Sequence, residues 1–251
     1  MWQYNESYYS RGRSRGIAGA LGSIVSCLSQ TYLARRLTSK FGSGRVLEVG
    51  FGDGSFLEKM AALGWEADGI ETSDTAIEMA REKTSINAWK GDMTDSDLEE
   101  SSYDLVIMRH VLEHMDNPDR AFARTYEILC PNGAVFIAVP NIESIEAKIA
   151  GDKWFHLDPA YHKTHYSPQT IKNALLIAGF RDIKINHFSI DYRQTLMYSI
   201  MSRIGLDPVS KDATASQRAI LIALLPVGVV LSFACSLVRR GGTIEVTARR
   251  L

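Results

Sequence analysis

Five of the six histidines in the chain crowd into two short stretches. His110 and His114 stand one helical turn apart in RHVLEH, and His156, His162 and His165 are spread through WFHLDPAYHKTHYS. Imidazole takes up and returns a proton near neutral pH, so such a cluster suits general-base work on a hydroxyl or another poorly ionised group. His110, Glu113 and His114 are also metal-ligating types, but no fourth ligand is evident and no metal is expected. A second constellation lies earlier, in RVLEVGFGDGSFLEKM. There Gly50, Gly52 and Gly54 alternate directly after a short apolar run that carries Glu48. Glycine weakens a strand and loses much freedom on folding. Three so close together imply that backbone must approach another group, with the N-terminus of the next helix ready to attract negative charge.

The elements that must position these residues read as alternating strands and helices. Arg45–Val49 is a strand, and the apolar spacing of Phe56, Leu57, Met60 and Leu63 predicts a helix that Gly64 stops. Ala67–Glu71 is a second strand, and Asp74–Lys83 a second helix capped by Ser73 or Asp74. Ile86–Trp89, Tyr103–Met108 and Ala134–Val139 read as further strands, with a helix over Pro118–Cys130 closed by Pro131-Asn132-Gly133. Ser167–Ala178 is a helix, Asp182–Ile190 a sixth strand and the alternating TIEVTA, Thr243–Ala248, a seventh. This alternation predicts a parallel, doubly wound α/β sheet, whose ligands gather at the carboxyl ends of the strands. The glycines, RHVLEH and the loop from Trp154 to Ser167 all fall at such ends.

The pattern Glu48-x-Gly50-x-Gly52-x-Gly54 resembles the first motif of class I S-adenosylmethionine-dependent methyltransferases. Later segments match in order. Glu71 ends strand two in GIETSD, Gly91-Asp92-Met93 follows strand three, and the L-E-H of RHVLEH resembles small-molecule methyltransferases that include the ubiquinone-pathway O-methyltransferases. LCPNGAVFIAVPN resembles the helix-to-fifth-strand passage of the same group. The resemblance covers roughly residues 40 to 190 and the last strand. It implies a seven-stranded, mostly parallel sheet with an antiparallel last strand, S-adenosyl-L-methionine as cofactor, and methyl transfer to a small-molecule, saccharide or lipid-linked acceptor, with a hydroxyl foremost. On that match Glu48, Gly50, Phe51, Gly52 and Gly54 line the cofactor, Glu71 with Thr72 receives the ribose, Asp92 and Met93 face the adenine, and Arg109 and His110 close the site. Trp154-to-Ser167 resembles a W-x-x-D-x-P-x-H-x-x-x-F-S passage of bacterial methyltransferases, on which Trp154, His162, Tyr166 and Ser167 align. His162 is therefore the leading base, with His110 and His114 as further catalytic candidates; loop-ordering hydrogen bonds would explain His162 equally. An NAD-dependent oxidoreductase would want a third glycine where Ser55 stands and gives Asp92 no role. A cofactor-binding protein without catalysis is the remaining alternative.

The 251 residues are 45% hydrophobic and 23% charged, with a formal net charge of −1, which gives no electrostatic reason to expect a nucleic-acid partner. Three scattered cysteines suggest neither disulfides nor a zinc site and fit a reducing, cytoplasmic setting. Arg11, Arg13 and Arg15 precede a mildly apolar run that is short, glycine-broken and late for a signal peptide, so residues 17–40 read as an amphipathic helix. Tyr4, Tyr8 and Tyr9 are candidates for a lid. The expected organisation is a helical lid or cap over 1–42, a cofactor-binding catalytic domain over 43–194 and 243–251, and an apolar helical insert over 195–242. Within the insert, Ala219–Val238 carries no charge and reaches the length of a membrane span, although Pro226 and Gly228 suggest a break into two pieces. A single crossing would strand TIEVTA on the far side of the bilayer. The segment 195–240 is thus expected to cap the active-site mouth, touch the inner membrane face peripherally, or pair two copies.

Overall fold

The computed structural model describes residues 17–83, 85–189, 195–206 and 213–251. The expectation of a lid from Tyr4, Tyr8 and Tyr9 falls outside them. The strands are β1 (Arg45–Val49), β2 (Glu66–Glu71), β3 (Asn87–Lys90), β4 (Tyr103–Arg109), β5 (Leu129–Pro140), β6 (Arg181–Asn186) and β7 (Thr243–Arg249). The helices are α1 (Ile17–Phe41), α2 (Ser55–Ala62), α3 (Asp74–Ala80), α4 (Pro118–Ile128), α5 (Ile145–Ala150), α6 (Pro168–Ile177), α7 (Thr195–Arg203) and α8 (Ala215–Leu237).

Seven strands form one sheet in the order β3-β2-β1-β4-β5-β7-β6. The neighbours from β3 to β5 run parallel, and β7 lies antiparallel between β5 and β6. The order reverses between β1 and β4, so the turns leaving these two strands face one crevice. Side-chain alternation divides the core. On β1, Val46 packs with Leu33, Leu37, Phe56 and Met60 of α1 and α2, while Leu47 and Val49 pack with Phe122, Ile171 and Leu175 of α4 and α6. Helices thus cover both faces, as parallel strands with nearly continuous apolar sequence require. The described C-terminal half of α1 is built into this core, and the Trp65 indole donates to Thr38 Oγ1 at 2.9 Å.

Local chemistry explains most boundaries. Ser73, Asn117, Ser144 and Ser167 each cap a helix by accepting an amide from the first turn. The helix expected to reach Cys130 stops at Ile128, because Leu129 already pairs with Tyr103 of β4. The expected break at Pro226 does not occur: α8 runs through it unbroken. Packing carries the helix past its proline, since Leu221 and Gly228 on either side are buried against Met197 of α7.

Candidate active site

Two loops and one turn meet at the crevice. After β1, Gly50, Gly52 and Gly54 all take left-handed φ, at 69°, 61° and 73°, which costs glycine little and other residues more. Their surroundings differ. A Cβ built on Gly50 would lie 2.4 Å from Val111 Cγ2, so this residue lets the turn after β4 come close. A Cβ on Gly52 would meet nothing within 4 Å; Gly52 faces open space. Phe51 is buried in the core, where it and Leu57 fill the room beside Gly69, so only its backbone is offered to a ligand.

The Glu71 carboxylate joins the first two turns. Its Oε2 accepts the Gly52 amide at 3.2 Å, and its Oε1 accepts the amides of Thr72 and Ser73 at 2.8 and 3.2 Å. Asp92 is exposed after β3 and forms its own turn, its Oδ1 accepting Thr94 N and Oγ1, both at 2.8 Å. The side chain of Met93 is buried in the core. Glu48 is also buried; Arg109 approaches it from β4, Nη1 3.6 Å from Oε1, with its guanidinium 4.4 Å above the Phe56 ring. These two residues join neighbouring strand ends beneath the turn.

All five clustered histidines come together. His110 directly follows β4 at φ 54°, a left-handed conformation unusual for a side-chain-bearing residue. Its ring lies 6.4 Å from that of His156, which lies 6.2 Å from His162; His114 and His165 flank His162 at 4.7 and 6.0 Å. The loop holding His156, His162 and His165 is docked on the turn after β4 by the Lys163 and Thr164 amides, which donate to the Glu113 carbonyl at 2.8 and 3.2 Å. His162 Nδ1 donates to the His156 carbonyl at 2.7 Å, and His114 Nδ1 to the Tyr161 carbonyl at 2.9 Å. A carbonyl only accepts, so Nε2 is the basic nitrogen of each neutral ring. Burial, with the neighbouring imidazoles of His110, His162 and His165, holds His156 well below the ordinary histidine range, and it stays neutral. Burial also lowers His114. Burial opposes the charged form of Glu113, yet His110, with Nδ1 3.5 Å from Oε1, and His114 beside it hold its carboxyl below the usual value. One ligand atom each from Glu113, His114 and His162 lie within 4.8 Å of one another, so this group, including His162 from the docked loop, could hold a metal.

A family model for a methyltransferase domain matches residues 23–185, more than half of the chain. The chain belongs to the class I S-adenosylmethionine-dependent methyltransferases. The ubiquinone biosynthesis O-methyltransferase of Mesorhizobium japonicum is 28% identical over 130 residues, covering 44% of this methyltransferase and 51% of that protein. The chain spans about half the length of the curated relatives it matches. Among solved structures, a SAM-dependent methyltransferase from Archaeoglobus fulgidus superposes with a TM-score of 0.61 at 22% identity, covering 98% of this chain and all of that one. Phosphoethanolamine N-methyltransferase 2 of Haemonchus contortus, solved with S-adenosyl-L-methionine, gives 0.60 at 19%, covering 87% of this chain and 52% of that one. The methyltransferase therefore uses S-adenosyl-L-methionine. Its glycine turn has room for that group, with open space at Gly52 and the Glu71 carboxylate directly behind it.

One buried carboxylate escaped sequence reasoning. Glu146 of α5 is almost wholly enclosed and receives Trp154 Nε1 at 3.2 Å, Ser199 Oγ at 3.1 Å and Thr195 Oγ1 at 3.1 Å. Burial raises its carboxyl to about 7 against the pull of these three donors. In sequence, IEAKIA looks like an ordinary amphipathic turn, and nothing there marks the glutamate.

Proposed function

We infer that this methyltransferase acts on a hydroxyl of a small molecule, a saccharide or a lipid-linked acceptor. The observation that carries the reading is the histidine cluster, in which backbone carbonyls fix His114 and His162 at the crevice next to the glycine turn. S-adenosylmethionine supplies an electrophilic methyl on a sulfonium whose leaving group departs neutral, so the protein's contribution is alignment and, for a hydroxyl acceptor, removal of a proton. In this reading Glu71 receives the ribose hydroxyls with its remaining acceptor capacity, with Thr72 beside it. Asp92 accepts from the adenine amino group, and the Met93 amide faces the ring. Gly50 and Gly54 shape the turn, the backbone of Phe51 and the open side of Gly52 admit the methionine end, and the Glu48–Arg109 pair holds the floor. His162, partly exposed with its basic Nε2 set by the His156 carbonyl, takes the acceptor proton. His110 and His114 position it.

The relatives' name, ubiquinone biosynthesis O-methyltransferase, supports a hydroxyl acceptor over an amine. We place the enzyme in the cytoplasm, where its unpaired cysteines suit a reducing medium. The test is transfer of labelled methyl from S-adenosylmethionine to panels of hydroxylated and amine acceptors. O-methyl products are expected, and His162→Gln should lower kcat by about 10²–10⁴-fold with cofactor affinity unchanged. Products methylated on nitrogen alone, or unaltered turnover of the variant, would refute the assignment.

A further inference from the structure

The insert holds a feature that methyl transfer does not use. Helix α8 has 23 residues, about 35 Å at 1.5 Å per residue, and it is apolar all round. Such a helix ordinarily lies inside a protein or a membrane, yet in its most apolar stretch only 11% of residues are buried. One side is covered, where Leu221 and Gly228 meet Met197 and Met201 of α7. Another is largely exposed. Ile222, Pro226, Val229, Val230 and Leu237 recur at helical spacing along it and are all exposed, Val230 and Leu237 to 67% and 69%, while Phe233 between them packs edge-on against Phe188 at 5.3 Å.

The topology fixes how this face can meet its surroundings. Upstream, α7 is tied to the domain through Thr195 and Ser199, which donate to Glu146. Downstream, five residues separate the last helical turn from the start of β7, which lies between β5 and β6. Both ends of α8 are therefore held by the same domain, and the helix lies along its surface instead of crossing a bilayer.

Charge selects the occupant. Residues 195–242 carry five basic side chains against two acidic ones, in a chain whose net charge is −1. Arg218 opens the apolar stretch and Arg239 and Arg240 close it, all three exposed. A two-fold pairing of two copies through this helix would set Arg218 opposite Arg239 and Arg240 if antiparallel, or each end against its own like if parallel. Like charges then face each other at both ends; the helix itself carries no acidic residue, and Glu143, 3.9 Å from Arg240, sits at one end only. An anionic lipid surface offsets both ends at once and takes the apolar face between them. We propose that α8 is an in-plane membrane anchor that seats this methyltransferase on an anionic bilayer through the Ile222–Leu237 face.

The test is co-sedimentation of the full chain with vesicles of phosphatidylcholine alone and with about one third phosphatidylglycerol. Binding is expected to the anionic vesicles, at least tenfold weaker on neutral ones and weakened by salt. Val229→Glu together with Val230→Glu changes two exposed positions of that face and should reduce binding at least tenfold, while S-adenosylmethionine binding and the melting curve stay as in the parent. Arg218→Gln with Arg239→Gln and Arg240→Gln should remove the anionic preference. A chain that stays in solution with both vesicles, or binds both equally, overturns the proposal. So does a dimer in sedimentation equilibrium that the Val229 and Val230 changes dissolve while vesicle binding is lacking, which would assign the face to a second copy.

Discussion

At the scale of single residues, the glycines of the first turn separate by what lies beside each. Gly50→Ala forces a methyl toward Val111 at a left-handed φ and should destabilise the fold by about 2 kcal/mol, read in urea denaturation. Gly52→Val points into open space, so it meets no clash, but a β-branched residue at φ 61° costs about 1–3 kcal/mol; the fold should stand at that reduced stability while S-adenosylmethionine binding is abolished in calorimetry, and retained affinity would show that no ligand occupies that space. Glu146 makes a prediction about pH. Its folded carboxyl titrates near 7 and its ordinary value is 4.5, so the folded state holds the proton more tightly than the unfolded state. Stability is then greatest below pH 4.5, falls as pH rises toward 7, and levels off above, by on the order of 3 kcal/mol. Glu146→Gln should flatten this slope and be the more stable protein at pH 8. Parallel denaturation midpoints of the two proteins at pH 5 and pH 8 would contradict it. The glycine and histidine positions were legible because their residue types are unusual in number and spacing. Glu146 was not, because a glutamate in a short amphipathic turn looks the same whether it meets water or a tryptophan indole.

At the scale of elements, the strands and helices around the site follow from punctuation in the sequence. Asn117-Pro118 and Ser167-Pro168 open α4 and α6 as written, with Asn117 accepting the Arg120 amide at 3.1 Å. Asn117→Ala should cost about 1 kcal/mol in thermal unfolding. Helix α8 was misread as two pieces, since local rules weigh Pro226 without knowing that α7 lies alongside. That contact can be tested in its own right. A Cβ on Gly228 would fall 2.2 Å from Met197 Cγ, so Gly228→Val should prise α7 from α8 and cost about 1–3 kcal/mol. The change should also free α7 for proteolysis within 195–206, and an unchanged digestion pattern would show that the two helices are not coupled. The joining of the first and second turns through Glu71 and the Gly52 amide is a contact between elements, and sequence gave its members without the bond.

At the scale of the whole molecule, seven strands and their helical layers were readable from alternation, and the antiparallel last strand came with the family resemblance. That α1 lies against the domain was readable as well, but not which strand it meets, because its contacts are remote in sequence. Arg36 of α1 is ion-paired with the buried Glu245 of β7, and Lys40 Nζ donates to Thr247 Oγ1 at 2.9 Å. The first described helix and the seventh strand thus meet across the sheet. β7 supplies the partner for both β5 and β6, yet it is made last, directly after the apolar helix. During synthesis, β5 waits as an open edge and the insert leaves the ribosome before the strand that closes the sheet exists. Completion of the domain is therefore timed by its final residues, and α8 is in reach of a lipid surface before the enzyme around the cofactor is finished.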